Sequence, residues 1–155
     1  MANFSSPSSL DDDRQDPTPL TKVRQCLPPT PVAISDIPKK QINASSTLTV
    51  EVLGPFTWGG AAAGDCRWES DEVYLYSDGR WLHNHRFRSA ADIFGDRIVT
   101  RMKVVDPNGY AIASWEIKHG IDPGDDRTDS HQGIEPEISR LWDSIIGMTR
   151  GGACE

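Results

Sequence analysis

Between Glu72 and His119 the chain alternates apolar and polar residues with a period of two, broken twice by turn-forming residues, which predicts two successive β-hairpins. The first is EVYLYSDGRWLHNHRFR, with its turn at Ser77-Asp78-Gly79-Arg80. Asp-Gly between alternating runs favours a tight hairpin because such turns need positive φ. The second is RIVTRMKVVDPNGYAIASWEIKH, turning at Asp106-Pro107-Asn108-Gly109, where proline presets φ and Asn-Gly supplies the left-handed positions. Alternation also sorts the faces. Trp81, His83, His85 and Phe87 point one way on the first return strand, and Trp115, Ile117 and His119 share a face on the last. Arg86, Arg88, Glu116 and Lys118 point the other way, as a half-buried antiparallel sheet requires. Three of the four histidines thus fall on an apolar face.

Before the hairpins, Leu48, Val50 and Val52 mark an alternating strand that ends near Gly54-Pro55. GPFTWGGAAAGDCRWES follows, a close-packed loop or bulged strand anchored by Phe56 and Trp58 at one end and by Cys66 and Trp68 at the other. No Lys-Ser/Thr follows its glycines, so it is not a phosphate loop. Ala90, Ala91, Ile93 and Phe94 predict one helical turn between the hairpins. GIDPGDDRTDSHQG reads as a solvated acidic loop without the ligand spacing of an EF-hand. From Ile134 to Arg150 the apolar stripe Ile134, Ile138, Leu141, Trp142 and Ile145 predicts a helix, with Pro136 in its first turn and Gly151-Gly152 at its stop.

These elements give a mainly β fold, a small antiparallel meander or calycin-like barrel with one C-terminal α-helix. Residues 1–46 hold seven of the eleven prolines and few large apolar residues, which predicts a disordered arm before a β-rich domain spanning 47–155.

The net charge of −7 and the lack of clustered Lys and Arg exclude a generic nucleic-acid surface. No stretch approaches the ~20 apolar residues of a spanning helix, so no membrane partner is expected. The opening MANFSSPSSLDDD has neither the basic start nor the apolar core of a secretory signal, and a cytoplasmic location is expected, with export by another route left open. Cys26 lies in the arm, which leaves Cys66 and Cys154 as the pair to consider; free thiols and a bridge fit the residues equally.

Phe56-Thr57-Trp58-Gly59, Gly64-Asp65-Cys66, Ser77-Asp78-Gly79 and the near-terminal Cys154 together resemble a family of small bacterial domains of unknown function. Its members share an F-x-W entry, a G-D-C turn, a strand ending in D-G, a later D-x-x-G turn and a closing cysteine. The resemblance covers about Leu48 to Cys154. It implies a compact β-rich domain and favours pairing of Cys66 with Cys154. It supplies no activity and no catalytic residues.

Two imidazoles on one strand face, at His83-x-His85, can chelate a metal, and His119 could join them across the sheet. The pair resembles the first cupin motif, but Arg-Phe-Arg-Ser follows His85 where that motif has a glutamate. No tightly bound metal and no cofactor are therefore expected. No G-x-S-x-G elbow is present, and no catalytic residue is assigned. Imidazoles on an apolar face need partners or water. The expected site is consequently a pocket lined by Trp81, His83, His85, Trp115 and His119, taking a small apolar or aromatic ligand in a non-enzymatic binding or interaction domain. Two alternatives stand beside it: a barrel-pocket enzyme, cyclase-like or using the histidines as acid and base, and a protein-binding module such as a toxin-neutralising partner.

Overall fold

A computed structural model describes residues 24–37, 40–45 and 48–155. The strands are β1 (Gln25–Ala33), β2 (Lys40–Ser45), β3 (Leu48–Trp58), β4 (Ala61–Ala63), β5 (Cys66–Tyr76), β6 (Arg80–Ser89), β7 (Asp96–Val105), β8 (Ala111–Ile121), β9 (Asp126–Ile134) and β10 (Gly147–Cys154). They form two antiparallel sheets. Sheet I runs β9-β6-β5-β3-β2, with β4 also pairing with β5; sheet II runs β1-β10-β7-β8. No helix among the described residues is long and apolar enough to cross a membrane.

Both predicted hairpins form. Leu75 opposes Trp81 around the Ser77–Gly79 turn, and Val105 opposes Ala111 around the Asp106–Gly109 turn. Gly79 (φ 99°) and Gly109 (φ 83°) take the left-handed conformations these turns demand. The hairpins lie in different sheets, however, because residues 90–95 carry the chain from β6 in sheet I to β7 in sheet II. The mainly β, antiparallel class is as expected. The calycin-like closure is not: no ladder joins the two sheets among the described residues, so the result is a sandwich. Residues 90–95 themselves make bends where a helical turn was expected, leaving Ile93 and Phe94 exposed.

The helix expected over 134–150 is cut to α1 (Pro136–Arg140) and a 3-10 turn at Trp142–Ser144. The apolar stripe is real in part, since Ile138, Trp142 and Ile145 are buried against the core, but Ile134 is exposed. Gly147–Cys154 becomes β10, between β1 and β7 at the centre of sheet II. Its glycines permit close approach to neighbours: a Cβ on Gly152 would lie 2.0 Å from the Val99 carbonyl oxygen and 3.2 Å from the Trp68 ring.

The boundary at residue 47 also needs correction. Residues 1–23 of the expected arm lie outside the described residues, but Gln25–Ala33 pairs with β10 and Lys40–Ser45 with β3. Leu27 and Ile37 are buried, and the Trp58 indole donates to the Thr30 carbonyl at 2.8 Å. A proline-rich composition does not bar a strand at a sheet edge, where half the amide groups need no partner.

The core divides in two. Leu53, Phe56, Val73 and Leu75 of sheet I meet Met102, Val104 and Met148 of sheet II, with Ile138, Trp142 and Ile145 closing the end. Further along the same strands, Trp68 and Phe87 pack with Ile98, Ile121 and the Cys66–Cys154 disulfide, whose Cα atoms are 5.6 Å apart. The pairing that the family resemblance favours is therefore present, while Cys26 is free and exposed.

Candidate functional site

A polar layer separates the two apolar clusters. On β5 it is Asp71, between Trp68 and Val73; on β6 it is His83 and His85, between Trp81 and Phe87. Sheet II contributes Thr100 from β7 and Arg150 from β10, and all five residues are buried. A register shift between Trp68 and Ser70 re-aims β5 so that Asp71 follows the inward series of Val73 and Leu75.

One Asp71 oxygen, Oδ1, takes the His83 Nε2–H at 2.8 Å, and His85 Nδ1 lies 2.7 Å from the same oxygen, off the straight hydrogen-bond line. The other, Oδ2, accepts from Arg150 at 2.9 Å, and the same guanidinium nitrogen donates to the Gly59 carbonyl at 3.2 Å. The outer nitrogens of the imidazoles are also engaged. Trp115 Nε1 donates to His83 Nδ1 at 3.1 Å, and an indole can only donate, so the His83 proton sits on Nε2 facing Asp71. Trp68 Nε1 donates to Thr100 Oγ1 at 2.9 Å, and the same hydroxyl lies 3.3 Å from His85 Nε2. His83 is thereby neutral, and the Asp71 carboxylate is paired with the Arg150 guanidinium.

Burial raises the pKa of Asp71, but the hydrogen-bonding contacts of His83 and His85 help to outweigh it and hold the carboxyl well below the usual carboxylate range. Burial lowers the pKa of His83, and the opposing Asp71 only partly offsets it.

All five expected site residues face the space between the sheets, yet they do not line one open pocket. His83 and His85 are 0% and 1% exposed, with their partners supplied by protein side chains where water or ligand was expected. Trp81, Trp115 and His119 are half-buried at the edge where β8 and β9 part. There the indoles of Trp81 and Trp115 stack at 4.1 Å and 5°, and Phe87 stacks on His119 at 4.5 Å. Trp81 also lines a cleft of about 330 Å³ with Tyr76, Arg80, Leu82, Gln132, Gly133 and Ile134, on the outer face of sheet I. His85 and Trp115 border two separate depressions.

Sequence reasoning missed Asp71 and Arg150. Counting back in twos from Leu75 and Val73 would have placed Asp71 inward. Arg150 gave no such signal, because its strand follows directly on a helix-like apolar stripe and shows little alternation of its own. The run expected as an acidic loop is also a strand: β9 pairs along β6, with Asp129 opposite His85 and His131 opposite His83. Its polar residues on both faces hide the alternation. No family model matches this chain, and no curated protein matches it.

Proposed function

We propose that the protein is a non-catalytic binding domain for a small ligand that combines an apolar or aromatic ring with an anionic group. The observation that carries this reading is the outer cleft on β6 and β9. Its walls include the Tyr76 ring, with the Arg80 guanidinium 4.6 Å above it, and Leu82; Ile134 at its rim is 70% exposed. A ring can rest on Leu82 and Ile134 while an acidic group meets Arg80 and Gln132. A binding role is also supported by the state of the buried histidines, whose nitrogens face partners inside the sandwich and are closed to a ligand's protons.

Cytoplasmic residence remains an expectation of the sequence. The disulfide pulls the other way, because such bridges persist in oxidising compartments. The test of the binding reading is a titration with 1-anilinonaphthalene-8-sulfonate, an aromatic anion, followed by its emission and by tryptophan quenching. Saturable enhancement is expected in the wild type and should be lost in Leu82→Ser and weakened in Arg80→Gln. No saturable signal, or one untouched by Leu82→Ser, would overturn the assignment.

A further inference from the structure

At the open edge of the sandwich, His119 on β8 of sheet II faces Asp129 and His131 on β9 of sheet I. His119 Nε2 lies 3.2 Å from His131 Nε2 and 3.3 Å from Asp129 Oδ2, and the three ligand atoms all fall within 4.8 Å of one another. Asp129 and His131 stand two apart on one strand, so their side chains project from the same face. All three residues are partly exposed. From this convergence we infer a binding site for a divalent transition-metal ion of the zinc class, held by His119, Asp129 and His131 between the two sheets.

The donor set is the first argument. Two imidazoles and one carboxylate suit zinc and its neighbours and leave a fourth position for water. The spacing is the second. With metal–ligand bonds of about 2.0–2.1 Å, neighbouring ligands of a tetrahedral site stand about 3.3–3.4 Å apart. Both distances from His119 Nε2 come within 0.2 Å of that edge. The third is crowding at one atom. His119 Nε2 is approached by both a nitrogen and a carboxylate oxygen, and a cation among the three satisfies their lone pairs together. The His119 ring is already oriented by its stack on Phe87. Arg127, which precedes these ligands on β9, is turned to the Gly120 carbonyl and the Phe87 face.

The buried layer does not compete for this role. In Asp71, His83 and His85 the corresponding separations are 2.7–2.8 Å, which are hydrogen-bond lengths, and the Arg150 guanidinium holds the other carboxylate oxygen. The expectation of a metal-free protein was drawn from His83-x-His85, with His119 as their third partner, and did not consider Asp129 and His131. Because the ligands come from two sheets that part at this edge, the ion acts as a clip between β8 and β9, and its binding stabilises the fold by mass action.

The experiment uses the full chain with Cys26→Ser, which removes the exposed thiol as a rival ligand. Co²⁺ is titrated while the visible ligand-field bands of a tetrahedral site are recorded, and melting is followed with Zn²⁺ and again after chelator. One equivalent should bind, the melting temperature should rise with Zn²⁺ and return with chelator, and His119→Gln and His131→Gln should each weaken binding at least about tenfold. His131 is half-buried on an edge strand, so His131→Gln keeps the test alive even if His119→Gln fails to fold. Absence of saturable binding in the parent, or undiminished binding in folded His131→Gln, overturns the site. So does binding that survives His131→Gln but is lost in folded His83→Gln, which would put the ion in the buried layer.

Discussion

Replacing Arg150 by Met removes the one guanidinium that balances Asp71 while keeping most of the side chain's apolar length. Asp71 is fully buried and Arg150 nearly so, with side chains 0% and 4% exposed, so water cannot take over the lost charge. Truncating one partner of a buried ion pair costs about 3–5 kcal/mol. The partners left to Asp71 are the imidazoles of His83 and His85, and restoring neutrality requires a proton. Protonating His83 would set its Nδ1–H against the Trp115 indole N–H, a donor facing a donor. At about 2–4 °C per kcal/mol for a chain of this size, Arg150→Met should melt roughly 6–20 °C below wild type near pH 7.5. Urea unfolding followed by tryptophan fluorescence measures the free energy, and histidine NMR shifts locate the proton. Arg150→Lys, which keeps the charge without the fork, should lose less. A loss below about 1 kcal/mol in Arg150→Met would refute the view that Arg150 neutralises the layer.

Deleting residues 1–45 should strip β1 from β10 and remove Leu27 and Ile37 from the core, so the truncated protein should show a much lower urea midpoint; an unchanged midpoint would argue against the β1–β10 ladder. Trp142→Ala should cost about 3–5 kcal/mol, because it empties a buried indole site and leaves Glu51 without the indole bond it accepts at 2.6 Å. The pH profile has a defined sign. His83 titrates below its ordinary 6.5 when folded, so its contribution is complete above about 6.5 and is lost as pH falls; Asp71, held below its ordinary 3.8, adds a second loss in more acidic solution. Urea midpoints should therefore fall from pH of about 7.5 to about 5.5, and His83→Gln should flatten that decline; a midpoint that rises over this interval would contradict it.

The hairpins were legible in the sequence because turn chemistry and alternation agree there: Asp78-Gly79 and Asn108-Gly109 sit between runs whose buried members are those with apolar parity. The same evidence could not say whether the second hairpin extends the first sheet or opens another, since both satisfy identical local rules. The end of the chain misled for a physical reason. Ile138, Trp142 and Ile145 are buried at spacings that suit a helix, and Gly151-Gly152 suits a helix stop as well as a strand pressed against Val99 and Trp68. The inward parity of His83, His85, Trp81, Trp115 and His119 was readable. Their partners were missed: Asp71 shares the parity of Val73 and Leu75 but was not counted inward, and Arg150 lies 79 positions further along the chain. Asp129-x-His131 repeats the spacing of His83-x-His85, but the surrounding polarity concealed its strand.

The placement of β10 has a consequence for how the molecule can be made. Of the described strands β10 is made after all the others, yet it is not added to an edge; it enters between β1 and β7, and its β1 partners lie more than a hundred positions earlier. Vectorial synthesis thus presents β1 and β7 with a gap that nothing upstream can fill, and the loop to be closed spans nearly the whole domain. Sheet II becomes complete only once β10 has been made, when Cys154 first meets Cys66 and Arg150 first meets Asp71. A chain halted before Gly147 would carry an uncompensated buried carboxylate, an unpaired thiol and two naked strand edges, making it a substrate for proteolysis or aggregation.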